Sequence, residues 1–225
     1  MEALATSLIV ASTTAVLASV FGTMAALELQ KVKGRIRAIY DAAIYIAIMI
    51  PGIVIGIATL IALVTAFKFL NPVLENSWPG VLGAAPRLNM GYASVIAAHT
   101  MFTMALVIVI VRARISGMDR ALIEASADLY ATPWRTFWQV TLPQIFPAIL
   151  AGFLLSFTFS FDDFIIAFFV AGTETTLPLY VFSSIRRGVT PEINAIGTMV
   201  LTVSLTLLIT AQFLLRGRGS QSSTQ

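Results

Sequence analysis

Long uncharged apolar runs alternate with short polar stretches along this chain. A hydrocarbon layer of ~30 Å is crossed by about 20 helical residues. Five runs reach that length: Leu4 to Leu27, Ala42 to Phe67, Met90 to Val111, Ile145 to Val170 and Ile193 to Leu215. Only the fourth carries charge inside, at Asp162 and Asp163. The pattern predicts an all-α membrane protein of about five transmembrane helices. In the first run, Ala11, Ala15, Ala18, Ser19 and Gly22 supply the small side chains that let helix backbones approach in lipid. A cleaved signal peptide is the competing reading of that run, but the run is long and no basic residue precedes it. Pro51 and Gly52 interrupt the second run and Pro147 lies near the start of the fourth, where kinks are expected.

Composition narrows the class further. The 225 residues are 58% hydrophobic and 11% charged, with a mean hydropathy of +0.90, well outside soluble domains. Cysteine is absent and His99 is the single histidine, which excludes disulfides and thiolate or His-rich metal centres. The net charge of +3 is spread over the ends of the apolar runs, not gathered into a basic patch that would bind nucleic acid.

That spread sets an orientation, because Lys and Arg concentrate on the cytoplasmic side of short loops. Lys31, Lys33, Arg35 and Arg37, then Arg112, Arg114, Arg120 and Arg135, then Arg216 and Arg218 share one side. Lys68, Arg87, Arg186 and Arg187 take the other. The C-terminus is then cytoplasmic and the N-terminus external, and an exported N-terminus implies a further helix upstream of Met1. A single membrane domain, residues 1–216 with a cytoplasmic loop at 112–144, accounts for the chain ahead of a polar tail at 217–225. The external connection from Asn71 to Asn89 carries no chemistry.

The cytoplasmic loop predicts two short helices. Ser116 and Asp119 fit a capping box, and Arg120, Glu124 and Asp128 form an i, i+4 ladder beside Leu122, Ile123 and Leu129. Thr132 and Pro133 start the second helix, which passes Trp134, Phe137 and Trp138 and breaks at Thr141-Leu142-Pro143. Such a hairpin is either an interfacial anchor or a docking element for a cytoplasmic partner.

Glu124-Ala125-Ser126, three residues, Tyr130, nine residues, Val140, one residue, Leu142-Pro143 resembles the EAA loop of bacterial ABC-importer permeases of the type I fold. Every spacing is kept, while Tyr130 stands where the family has glycine. The resemblance implies that Glu124, Ala125, Ser126, Asp128, Leu129 and Tyr130 form the helix that couples to an ATPase, with Glu124 as its polar contact. It further implies a second permease, two ATPase subunits holding ATP and Mg, an external substrate-binding protein, and no cofactor on this chain. Tyr130 leaves two courses for the bend: a turn at the family's position, or a first helix that runs on to Ala131.

Asp162 and Asp163 each cost at least ~2.5 kcal/mol in lipid, so a wet path or a polar partner is expected. Neighbouring helical residues point about 100° apart; one faces a pathway while the other pairs within the bundle or caps a break. The stretch Leu155 to Asp163, Gly172 with Leu177-Pro178-Leu179, and Gly188 to Glu192 resemble the C-type permeases of spermidine and putrescine importers. That implies a polyamine as solute, for which carboxylates and the faces of Phe157, Phe159, Phe161 and Phe164 are suitable partners, although core or lipid contact is the commoner use of such rings.

Two rival functions fit less well. Intramembrane aspartyl proteases need two acids converging on one bond, which adjacent residues do not achieve, and an ion-coupled secondary transporter would carry inverted repeats. No phosphate-binding G-x-x-x-x-G-K-[ST] loop occurs, so energy must come from another polypeptide. For His99, a hydrogen bond to a nearby backbone or hydroxyl is expected in preference to a proton relay.

Overall fold

A computed structural model describes residues 2–79, 85–119, 121–188 and 191–216. Arg120 and the tail at 217–225 therefore lie outside the described residues, as do the side chains of Glu192, Ile193, Ala211 and 213–216. The described residues form helices α1 (Glu2–Leu29), α2 (Gly34–Met49), α3 (Gly52–Ser77), α4 (Tyr92–Ser116), α5 (Ala121–Asp128), α6 (Pro133–Thr136), α7 (Leu142–Asp162), α8 (Ile165–Val170), α9 (Leu177–Ile185) and α10 (Pro191–Arg216). Among the described residues, four segments are long and apolar enough to cross a membrane: α1, α3, α4 and the continuous stretch Pro133–Asp162. The 26-residue α10 is apolar from Asn194 to Thr210.

The core is the packing of α1, α4 and α7. Small residues on α1 make it possible: Ala11, Ala15 and Ala18 are fully buried. Val107 of α4 sits between Gly22 of α1 and Gly152 of α7. A Cβ on Gly22 would come within 2.8 Å of Val107 Cβ, so glycine is what allows the two backbones to meet. One apolar cluster, around Ile108, Val111 and Ile145, fills the end that carries α5 and α6. A second, around Val10, Val95, Ile166 and Val170, fills the opposite end. There Ser7 Oγ accepts the Leu177 N–H at 2.7 Å, fixing the start of α9 on α1.

Two of the five predicted spans are corrected. The second run does not kink at Pro51; it is two helices. Ile50 precedes proline and takes an extended ψ of 134°, as does Pro51 at 135°. Steric pressure from the proline ring on the preceding residue disfavours helix there, so the spanning segment begins at Gly52 and runs on to Ser77, past Pro72. That carries helix into the external connection, where the Asn71 side-chain amide accepts the Leu88 N–H at 2.8 Å and donates to Leu88 O at 3.1 Å. The fourth run is likewise not one helix. It breaks at Asp163, whose ψ is 119°, and resumes as α8.

Candidate functional site

The loop between α4 and α7 is built from its ends. Gly117 closes α4, and Ser116 does not form the expected capping box: its Oγ turns back to donate to Arg112 O at 2.9 Å. Asp119 alone caps the next helix, accepting the Ala121 N–H at 2.9 Å. The predicted charge ladder loses its first rung to the region outside the described residues, and Glu124 and Asp128 are both solvent-exposed.

The bend after α5 follows the family's position, not the longer helix. Tyr130 N–H donates to Ala127 O at 2.9 Å and Ala131 N–H to Ser126 O at 3.1 Å. That pair of bonds is a Schellman motif, and its left-handed residue is Tyr130 at φ 57°. A tyrosine thus takes the conformation that glycine would take without cost. The turn is held from outside the helix as well. Ser126, where the family has alanine, is buried and its Oγ lies 2.6 Å from Thr136 Oγ1, tying α5 to α6. Thr132 accepts the Arg135 N–H at 3.4 Å and caps α6.

Pro143 does not end the second helix. Residues Phe137–Thr141 form a π turn in which Leu142 N–H reaches back to Phe137 O, and α7 continues from it. Widening the turn accommodates a ring that has no N–H and would crowd the preceding carbonyls. The hairpin is therefore joined to α7 without a hinge loop. Arg114 Nε donates to Gln144 O at 2.9 Å and fastens α4 to the same place. What the hairpin offers outward is Glu124, Leu129, Tyr130 and Trp134, with Tyr130 96% exposed. Trp134 and Trp138 meet edge to face at 5.6 Å.

A neighbouring ion pair escaped the sequence reading. Arg112, at the same end of α4, bonds Asp41 of α2, with Arg37 Nε 3.7 Å from the other oxygen. The hydrogen bond from Arg112 holds the Asp41 carboxyl below its ordinary range, aided by the charges of Arg112 and Arg37 and opposed by burial. The available signal was a lone acid among four basic residues just ahead of an apolar run.

The two intramembrane acids diverge. Asp163 Oδ2 accepts the N–H groups of Ile166 at 2.8 Å and Ala167 at 3.0 Å, capping α8. Asp162, the last residue of α7, lines a cavity of about 440 Å³ whose other walls are apolar residues of α9 and α10, with Ser204 beside them. Leu177, Pro178, Val200 and Leu201 are among those walls. Phe157, Phe159, Phe161 and Phe164 do not line this cavity; Phe157 and Phe161 stack at 5.8 Å and Phe164 packs on Phe182 at 4.5 Å. His99 finds a hydroxyl, Ser160 Oγ at 2.8 Å from Nδ1.

Discontinuous spanning helices thus pack around a small-residue core, with a capped helix hairpin at one end. The family described as binding-protein-dependent transport system inner membrane component matches residues 18–217. The putrescine transport system permease protein PotI of Escherichia coli K12 is 39% identical over 204 residues, 89% of this chain and 67% of PotI. The spermidine/putrescine permease protein PotC of the same strain is 30% identical over 219 residues, 97% of this chain and 75% of PotC. A bacterial ABC transporter that imports the acidic polysaccharide alginate shares the fold, with a TM-score of 0.69 at 16% identity over 97% of this chain and 79% of its own. The chain belongs to the binding-protein-dependent permeases and has the type I ABC-importer permease fold. It is a transmembrane transport subunit.

Proposed function

We propose that this chain forms half of the pathway of an ATP-driven polyamine importer in the bacterial inner membrane, with its C-terminus cytoplasmic. A second permease completes the pathway, two ATPase subunits bind beneath it, and a binding protein delivers the solute from outside. ATP and Mg belong to the ATPase subunits. The observation that carries the reading is the α5–α6 hairpin: the family's loop spacing, folded into a capped bend that presents Glu124 and Leu129 to the solvent.

The attachment of that hairpin supports a mechanism. An ATPase that moves the hairpin moves α7 with it through the π turn, and α4 through Arg114. The far end of α7 carries Asp162. A movement begun at the ATPase thus arrives at a carboxylate in a mostly apolar cavity, where a chain of ammonium and methylene groups finds both of its preferred surroundings. The names of the polyamine permeases it resembles support the solute class.

The test is reconstitution with the partner permease, ATPase and binding protein, measuring ATP-dependent uptake of putrescine and spermidine. Glu124→Lys is expected to lower uptake roughly tenfold, as loss of a charge-assisted contact worth ~1.5 kcal/mol would. Asp162→Asn is expected to lower polyamine uptake with the complex intact. If no ATPase associates, the coupling assignment is wrong. If the ATPase responds only to a binding protein loaded with another solute, the permease stands and the polyamine assignment falls.

A further inference from the structure

His99 of α4 is 1% exposed, and the pathway described above gives it no task. Its ring spans the end of α7. Nδ1 lies 2.8 Å from Ser160 Oγ and Nε2 lies 3.2 Å from Asp163 Oδ2, the second contact close but off the line of a good hydrogen bond. That same Oδ2 caps α8 through the N–H groups of Ile166 and Ala167. The ring with its proton on Nε2 serves both neighbours: Ser160 donates its hydroxyl proton to Nδ1, and Nε2–H faces the carboxylate. Three groups, one from α4 and two from α8, therefore lie around one oxygen at the break.

We infer that His99 is a positioning residue of the solute pathway: set between Ser160 and Asp163, it holds the break between α7 and α8 and thereby the direction in which Asp162 faces α10. The reason is local. An uncapped α8 would leave backbone N–H groups unsatisfied in an apolar setting, at a cost that favours rewinding α7 through residues 163 and 164. Each added helical residue turns its side chain by about 100°, so a rewound segment would take Asp163 off the α8 amides. It would also re-form the turn that sets Asp162 against the cavity. Packing limits the alternatives, since α8 lies against α3 where a Cβ on Gly56 would fall 2.6 Å from Phe169 Cδ2. The inference rests on the reading of Asp162 as a pathway residue.

The test uses the reconstituted importer and reads solute taken up per ATP hydrolysed, for each assembled complex. His99→Asn reaches Ser160 but not Asp163; His99→Gln extends an amide N–H toward Asp163. His99→Ala and His99→Asn are expected to lower the ratio about fivefold through loss of the polar contact to Asp163, and His99→Gln to restore it to within about twofold. Asp162→Asn is expected to lower it as well. The chain has no cysteine, so Val200→Cys gives it a single thiol, at the cavity, and the labelling of this chain by a charged thiol reagent is expected to change in His99→Ala and return in His99→Gln. If uptake and hydrolysis fall together in His99→Ala, or His99→Gln behaves as His99→Asn does, His99 is a packing residue and the inference fails. An unchanged ratio in His99→Ala beside a lowered one in Asp162→Asn overturns the inference alone. An unchanged ratio in Asp162→Asn overturns the pathway reading and the inference with it.

Discussion

Tyr130 holds a left-handed backbone conformation that costs a residue with a Cβ roughly 1–2 kcal/mol. Replacement by glycine should release that strain while keeping both turn-closing bonds. The expected outcome for Tyr130→Gly is about fivefold slower hydrogen exchange at the amides of positions 130 and 131, measured by exchange mass spectrometry on the assembled complex. Unchanged exchange would mean that the strain is relieved elsewhere in the hairpin. The position of the bend was legible in the sequence because the spacing to Leu142-Pro143 was intact; what filled it was not, since tyrosine carries no turn preference of its own. Asp162 and Asp163 show the same limit. Their place inside an apolar run announced a special role, but which of the two faces the cavity depends on where α7 stops, and the sequence around them does not encode that. Ser116 and Asp119 matched a capping pattern that only Asp119 fulfils, because Ser116 still belongs to α4 and satisfies its hydroxyl on its own helix.

At the scale of elements, apolar runs were readable because a bilayer leaves no other solvent for them, and their interruptions were misread because proline has two opposite effects. Pro51 separates α2 from α3 by forcing Ile50 out of helix, whereas Pro143 is absorbed by a π turn and the helix runs on. Sequence offers the same residue in both places; the difference lies in what packs around it. The split at Pro51 leaves α2 as a separate element fastened to α4 by Asp41 and Arg112. Because the folded carboxyl is held below its ordinary value, that tie is complete above the ordinary carboxylate range and is lost as pH falls through the lowered value. Asp41→Asn is expected to speed exchange across residues 34–49 by roughly threefold, in keeping with a partly exposed ion pair. The difference from the parent should stay constant between about pH 5 and 8 and vanish in acid. A difference that grows across the neutral range would assign the effect to another group.

At the scale of the whole molecule, one end carries the hairpin and the basic residues of α2 and α4, and the other carries α9 and the α3–α4 connection. Which end meets the cytoplasm decides whether an ATPase can reach the hairpin at all, since ATP is on the inner side. Ten of the fourteen Lys and Arg residues fall in the sequence at 31–37, at 112–135 or at Arg216 and Arg218, and short basic loops resist export, so the hairpin end is expected inside. The absence of cysteine makes the expectation simple to measure, because each introduced thiol is unique. Ala127→Cys lies exposed on α5 and Ser183→Cys exposed on α9. In right-side-out vesicles an impermeant maleimide should label Ser183→Cys and spare Ala127→Cys, and inverted vesicles should reverse the result. The opposite pattern would put Glu124 and Tyr130 outside, away from any nucleotide, and would remove the coupling role from the hairpin however well its spacing matches the family.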